Sequence, residues 1–168
     1  LLKEAGIEFI QESKDFDEDS IIATSPKNFV YQATLGKYEA NLKEFGFNDY
    51  PLLVADTVVT SQNQILRKAK CVDDARNILM TQSGNITSIV TCMIYQTPKQ
   101  KIIDISQTDY LFDTFNLDDL EVFLDSEEWR GKAGACMVEG FCKSYIKDVR
   151  GYESTAMGLN VEVLKAFL

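Results

Sequence analysis

The sequence predicts an α/β fold built on a mixed sheet, and three observations carry that reading. Apolar, branched runs at 52–60, 85–95 and 101–112 have the composition of strands. Polar turn sequences, Ser61-Gln62-Asn63-Gln64 and Thr97-Pro98-Lys99-Gln100, join strand-like segments as hairpins. Helix-start signals stand between them at Ser25-Pro26, Asp73-Asp74 and Asn116. Hairpins interleaved with helices argue against a purely parallel sheet. At 168 residues the chain suits one domain, or one two-lobed domain, with a real core. No internal repeat, linker or low-complexity segment divides it.

Taken in order, residues 1–5 read as the last turn of a helix stopped by Gly6. With no Met and no N-cap ahead of that turn, a piece of chain is expected upstream. Residues 7–11 read as a short strand, followed by the acidic stretch SKDFDEDS. Ser25 caps, and Pro26 opens, a helix to about residue 44, where Phe45-Gly46 ends it. Pro51 introduces the strand 52–60, and 64–68 returns as its hairpin arm. Asp73-Asp74 form the acidic first turn of a helix to about residue 82, stopped by Ser83-Gly84. Strands are expected at 85–95 and 101–112, and a helix capped by Asn116 to about residue 124. GKAGACMVEGF at 131–141 reads as a loop, 144–149 as a strand, and the tail from about residue 161 as a terminal helix.

Composition excludes several function classes. The chain has no His, so neither a Ser-His-Asp triad nor a Cys-His dyad can operate. Its four cysteines, Cys71, Cys92, Cys136 and Cys142, have no CxxC spacing, which argues against structural zinc and against a disulfide framework. Free thiols in a reducing cytoplasm are expected. A net charge of −9 disfavours a nucleic-acid surface. No apolar run is long enough to cross a membrane as a helix, and no signal peptide is visible. Catalysis must therefore run through carboxylates, Lys, Tyr, Cys or a metal held by oxygen.

Asp56 is the residue that needs explaining. In LLVADTVVT at 52–60, apolar residues precede it and Val58-Val59 follow. Asp often starts a turn, yet the strand signal continues on both sides. An ionised carboxylate within a buried strand is costly unless paired, hydrogen-bonded or bound to a metal. A functional and a structural Asp56 both remain open on the residues alone.

Three polar clusters are candidates. Asp17-Glu18 could be a solvated acidic loop, and Arg67-Lys68-Ala69-Lys70 a solvated basic turn. The third is Asp56-Thr57. Lys37 by itself reads as a helix-surface Lys. Read together, carboxylates suit Mg²⁺ or Mn²⁺ with substrate phosphates, and Lys supplies point charges to phosphate oxygens. No GxxxxGK[ST] loop is present, so the chain is not a P-loop NTPase. These residue types permit metal-assisted phosphate chemistry without demanding it.

Five segments in order resemble the Maf family, the septum-formation-related nucleoside triphosphate pyrophosphatases. ADTVV at 55–59 is similar to the family's ADT core, and ILRKAK at 65–70 to its ILGKPK hairpin arm. DDARNIL at 73–79 followed by SGN resembles a helix ending in an SG turn. GKAGACMVEG at 131–140 resembles the DKAGAYGIQG loop, and ESTAMGLN at 153–160 the YSNVVGLP stretch. The resemblance implies two lobes around a central cleft, similar to inosine triphosphate pyrophosphatases. It implies cleavage of a nucleoside triphosphate to monophosphate and pyrophosphate with a divalent cation, Mg²⁺ or Mn²⁺. By position, Asp56 corresponds to the catalytic base, Glu18, Lys37 and Lys68 to the phosphate and metal end, and Thr57 and Glu139 to choice of the base.

The departures carry information too. The family's SxSPRR signature is absent, its expected place lying just before Leu1; RKA replaces GKP at 67–69; and Glu139 stands where the thymidine- and uridine-preferring branch has Gln. The expected partner is a nucleotide, not nucleic acid or a membrane, with room for a homodimer. The rival reading, carried by the family name, is a regulatory interaction protein linked to arrest of cell division.

Overall fold

The computed structural model describes residues 1–12, 16–46 and 50–168. Its main elements are α1 (Pro26–Phe45), β1 (Leu52–Ser61), β2 (Gln64–Leu66), α2 (Val72–Gln82), β3 (Ile86–Gln96), β4 (Lys101–Phe112), α3 (Leu117–Asp125), β5 (Ile146–Arg150), α4 (Glu153–Ala156) and α5 (Val161–Lys165). The expected α/β fold is present, with one five-stranded sheet in the order β2-β1-β3-β4-β5. β2 runs antiparallel to β1, with Val59 opposite Leu66, and β5 antiparallel to β4, with Tyr110 opposite Val149.

Local chemistry explains the boundaries. The Ser25 hydroxyl accepts from the Asn28 amide with Pro26 at the first helical position, which satisfies one of the orphan donors that begin any helix. The Asn116 side chain accepts from the Asp118 and Asp119 amides, and that of Asn160 from Val163. Gln62 and Asn63, at φ 49° and 61°, turn β1 into β2, the left-handed pair that a two-residue hairpin requires.

By contact the chain divides into two compact units. The first comprises Leu1–Thr57, Val90–Gln107 and Tyr152–Leu168. One of its core clusters joins Met93, Tyr95, Leu159, Val161 and Leu164, with Leu1, Leu2, Ala5, Ile7, Leu53 and Ala55 packed against it. The second comprises Val58–Ile89 and Thr108–Gly151. It is aromatic: Phe115 meets Phe112, Phe141 and Tyr145 with ring centroids 4.9–5.7 Å apart, and Phe123 stacks on Phe141 at 4.7 Å. The buried Trp129 indole N–H donates to the Leu124 carbonyl at 3.0 Å.

Several expectations need correction. Residues 7–11 are irregular rather than a strand; they pair with no strand among the described residues, and Phe9 and Ile10 are exposed. The second hairpin arm stops at Leu66, and Lys68 pairs instead with Ala133 in an isolated antiparallel bridge. Residues 141–145 form a 3₁₀ turn, so β5 starts at Ile146. The short helix α4 had no signal in the sequence reading. Cys136 and Cys142 are joined in a disulfide, leaving only Cys71 and Cys92 as free thiols. Part of the acidic stretch, residues 13–15, lies outside the described residues, whereas Glu18–Ser20 form a 3₁₀ turn.

Candidate active site

Asp56 sits in the middle of β1, and in a strand successive side chains point to opposite faces. Its neighbour Thr57 therefore faces away from it. The Asp56 Oδ1 accepts from the Lys37 Nζ at 2.8 Å, and the same ammonium lies 2.6 Å from the Glu18 Oε1. Side-chain exposure falls from 43% for Glu18 through 24% for Lys37 to 15% for Asp56. The three charges thus run inward from solvent. Asp56 Oδ2 is buried and has no hydrogen-bond partner among the described residues.

Burial raises the Asp56 pKa above the ordinary carboxylate value, and the Lys37 hydrogen bond and charge only partly offset this. For Lys37 burial acts to lower the pKa, but the hydrogen bonds to Asp56 and Glu18 outweigh it and the net direction is up. The sequence expectation of a helix-surface Lys37 is therefore corrected: it is half-buried and bridges two carboxylates.

The backbone explains how Glu18 arrives there. Gly36 lies in the interior of α1, where Gly is unfavourable by about 1 kcal/mol relative to Ala. A Cβ at Gly36 would overlap the ring of Phe16. The missing side chain makes room for the end of the Phe16 ring against the helix, two residues before Glu18 and next to the position of Lys37. A glycine inside a helical pattern is a readable signal of close approach, and the sequence reading passed over both Gly36 and Phe16. Lys37 also lies on the wall of an open groove of about 1790 Å³ in the first unit, lined further by Asn41, Leu53, Ala55 and Tyr95.

On the other face of β1, the Thr57 and Thr91 hydroxyl oxygens are 2.8 Å apart. Thr91 in turn donates to the Thr155 carbonyl at 2.7 Å.

Lys68 and Glu139 belong to the second unit. Both are exposed, Lys68 opposite Ala133 and Glu139 on a turn closed by the Gly140 amide donating to the Met137 carbonyl at 3.0 Å. The loop 131–140 is anchored at Gly134, whose amide donates to the Leu66 carbonyl at 3.0 Å and whose carbonyl accepts from the buried Gln82 side chain at 2.7 Å. Gly134 has φ +69°, and a Cβ there would stand 2.9 Å from Val59. No other residue fits without a shift.

Among the described residues no group of three or more His, Cys, Asp or Glu side chains could hold a metal ion. The donor set here is two carboxylates, Glu18 and Asp56, the latter with an unpartnered oxygen. That set fits a hard cation which draws its remaining ligands from water and phosphate.

Residues 1–168 match the family described as Maf-like protein. A "Nucleoside triphosphate pyrophosphatase" of Nitratiruptor sp. is 52% identical over 166 residues, 98% of this chain and 89% of that protein. One of the same name from Helicobacter pylori is 40% identical over 164 residues, 98% of this chain and 86% of that protein. A third, from Campylobacter jejuni, is 35% identical over 170 residues, the whole of this chain and 93% of that protein. With a match along its whole length and relatives this similar, the chain belongs to the Maf family.

Proposed function

We propose that the chain is a nucleoside triphosphate pyrophosphatase, a hydrolase acting on the α–β phosphoanhydride of a nucleotide. The observation that supports it most is the Asp56 carboxylate, buried in a strand, with one oxygen held by Lys37 and the other without a partner among the described residues. A carboxylate with a raised pKa is a better proton acceptor than an ordinary one. In the reaction a water oxygen bonds to the α-phosphorus while the bond from that phosphorus to the α–β bridging oxygen breaks. Pyrophosphate departs with the electron pair, and the proton of the attacking water passes to Asp56 Oδ2. Lys37 holds Asp56 in place and carries positive charge at the phosphate end, and Lys68 supplies a further cation to the phosphates.

Glu18 and Asp56 would hold a divalent cation, Mg²⁺ or Mn²⁺. When bound, it neutralises phosphate charge and acidifies water. We place the protein in the cytoplasm, where its substrates are; no helix among the described residues is long and apolar enough to cross a membrane.

Thr57 and Glu139 are assigned to the base. An ionised Glu offers acceptors only, whereas Gln offers both a donor and an acceptor. Glu139 therefore favours a guanine-type base, whose N1–H and exocyclic amino group both donate. The test is pyrophosphate release from GTP, 7-methyl-GTP, UTP and dTTP, with and without divalent cation, for wild type and Glu139→Gln. Cation-dependent release of pyrophosphate and nucleoside monophosphate is expected. A folded protein that cleaves no nucleotide would favour the interaction-protein reading instead. A wild-type preference for UTP or dTTP that survives the substitution would remove Glu139 from base choice.

A further inference from the structure

A Thr hydroxyl has one proton to donate and two lone pairs to accept with. Thr91 Oγ1 lies 2.7 Å from the Thr155 carbonyl oxygen and 2.8 Å from the Thr57 hydroxyl. The carbonyl can only accept, so the Thr91 proton is committed to it. The proton between the two hydroxyls must then come from Thr57. Thr91 is 1% exposed and Thr155 is fully buried, so no water competes for these positions. The order of the chain is fixed: Thr57 to Thr91 to the Thr155 carbonyl.

The consequence lies at the open end. Thr57 is partly exposed, and its only proton points inward. Gly158 lies beside it: a Cβ there would stand 3.5 Å from the Thr57 oxygen, in ordinary van der Waals contact. Gly158 holds φ +104°, a backbone that other residues adopt only under strain. What Thr57 presents outward is lone pairs.

We infer that Thr91 is a positioning residue that makes Thr57 an acceptor-only reader of the nucleobase, selecting bases with a ring N–H over those with a bare ring nitrogen. This rests on the assignment of Thr57 to the base. Uracil, thymine and guanine carry a proton on N3 or N1; cytosine and adenine carry a lone pair there. A lone pair facing a lone pair leaves both without a partner, and such mismatches are rejected more strongly than a missing methylene.

The experiment compares UTP with CTP and GTP with ATP, measuring kcat and KM for wild type, Thr91→Val, Thr91→Ser and Thr57→Val. Thr91→Val keeps the shape, and the Thr155 carbonyl retains the Gly158 amide at 3.1 Å, so the fold is expected to survive; thermal unfolding of each variant checks this. Freed of Thr91, the Thr57 hydroxyl can turn and donate. The KM advantage of UTP over CTP, and of GTP over ATP, is expected to shrink by about 3- to 10-fold, the worth of one hydrogen bond, with kcat little changed. Thr91→Ser, which keeps the hydroxyl, restores the wild-type ranking. If Thr57→Val shifts KM but Thr91→Val leaves the ranking intact, the inference is wrong while the base assignment stands. If Thr57→Val shifts no KM at all, Thr57 does not touch the base and both fall.

Discussion

Gly36 in the first unit and Gly134 in the second each make room for a neighbour, and they do so for different ends. Gly36 sits in regular helix, where Ala would be the better residue, and gives way to Phe16, the end of a side chain that can swing. Gly134 sits at φ +69° against Val59, a β-branched residue stiff at χ1 and fixed in a strand. The first glycine sacrifices helix stability to bring a carboxylate to Lys37. The second serves the fold itself, tying the loop 131–140 to the β1–β2 hairpin and satisfying the buried Gln82 amide. The same contrast runs through the polar groups of each site. Asp56 keeps a buried oxygen without a partner among the described residues, whereas the buried Gln82 amide finds the Gly134 carbonyl. A buried carboxylate oxygen left open in this way is what the proposed role of Asp56 as proton acceptor requires.

The sharpest way to break this contrast is Asp56→Asn. Turnover is expected to fall about 10²–10⁴-fold, as for loss of a general base, while thermal stability holds or rises because a buried charge is removed. Turnover within a few-fold of wild type in folded protein would end the assignment. Next in size is Gly134→Ala, expected to destabilise by about 2–4 kcal/mol through left-handed strain and overpacking combined; denaturant titration reads it, and an unchanged midpoint would show the loop moves freely. Gly36→Ala should behave oppositely. Stability stays within about 1 kcal/mol of wild type, while displacement of Phe16 draws Glu18 away and costs about 10- to 100-fold in kcat/KM. Equal activity would show that Phe16 does not position Glu18.

The smallest effect is on pH dependence. Asp56 has a folded pKa above its ordinary 3.8, so the folded state binds that proton more tightly than the unfolded state does. Its contribution to stability is present below the ordinary value and lost as pH rises through the folded one. Lys37, also raised, contributes below its ordinary 10.5 and loses that contribution above it. Wild type should therefore lose ground to Asp56→Asn in melting temperature as pH rises above the ordinary 3.8. The opposite trend, that of an ordinary salt-bridged Asp, would contradict the burial argument.

Much of this was legible in the residues because it is local. The Ser25-Pro26 start, the Asn116 cap and the alternation around Asp56 act within a few positions, and α1, α3 and β1 fall where they were expected. Asp56 itself stood out because a carboxylate in an apolar strand has few innocent explanations. The ion pairs of Lys37 were hidden, since its partners lie 19 residues on and 19 back, and residue type alone said helix surface. Residues 7–11 misled because apolar composition suggests a strand, while only a pairing partner makes one. The cysteines misled for the same reason. Spacing spoke against a metal site but could not show that a six-residue separation brings Cys136 and Cys142 within 6.7 Å between Cα atoms.

That disulfide has a practical corollary for labelling. With Cys136 and Cys142 joined and Cys92 fully buried, the one thiol among residues 1–168 open to a maleimide while the disulfide is intact is Cys71, exposed at the start of α2. Within these residues a fluorophore or spin probe would therefore attach once, on the second unit.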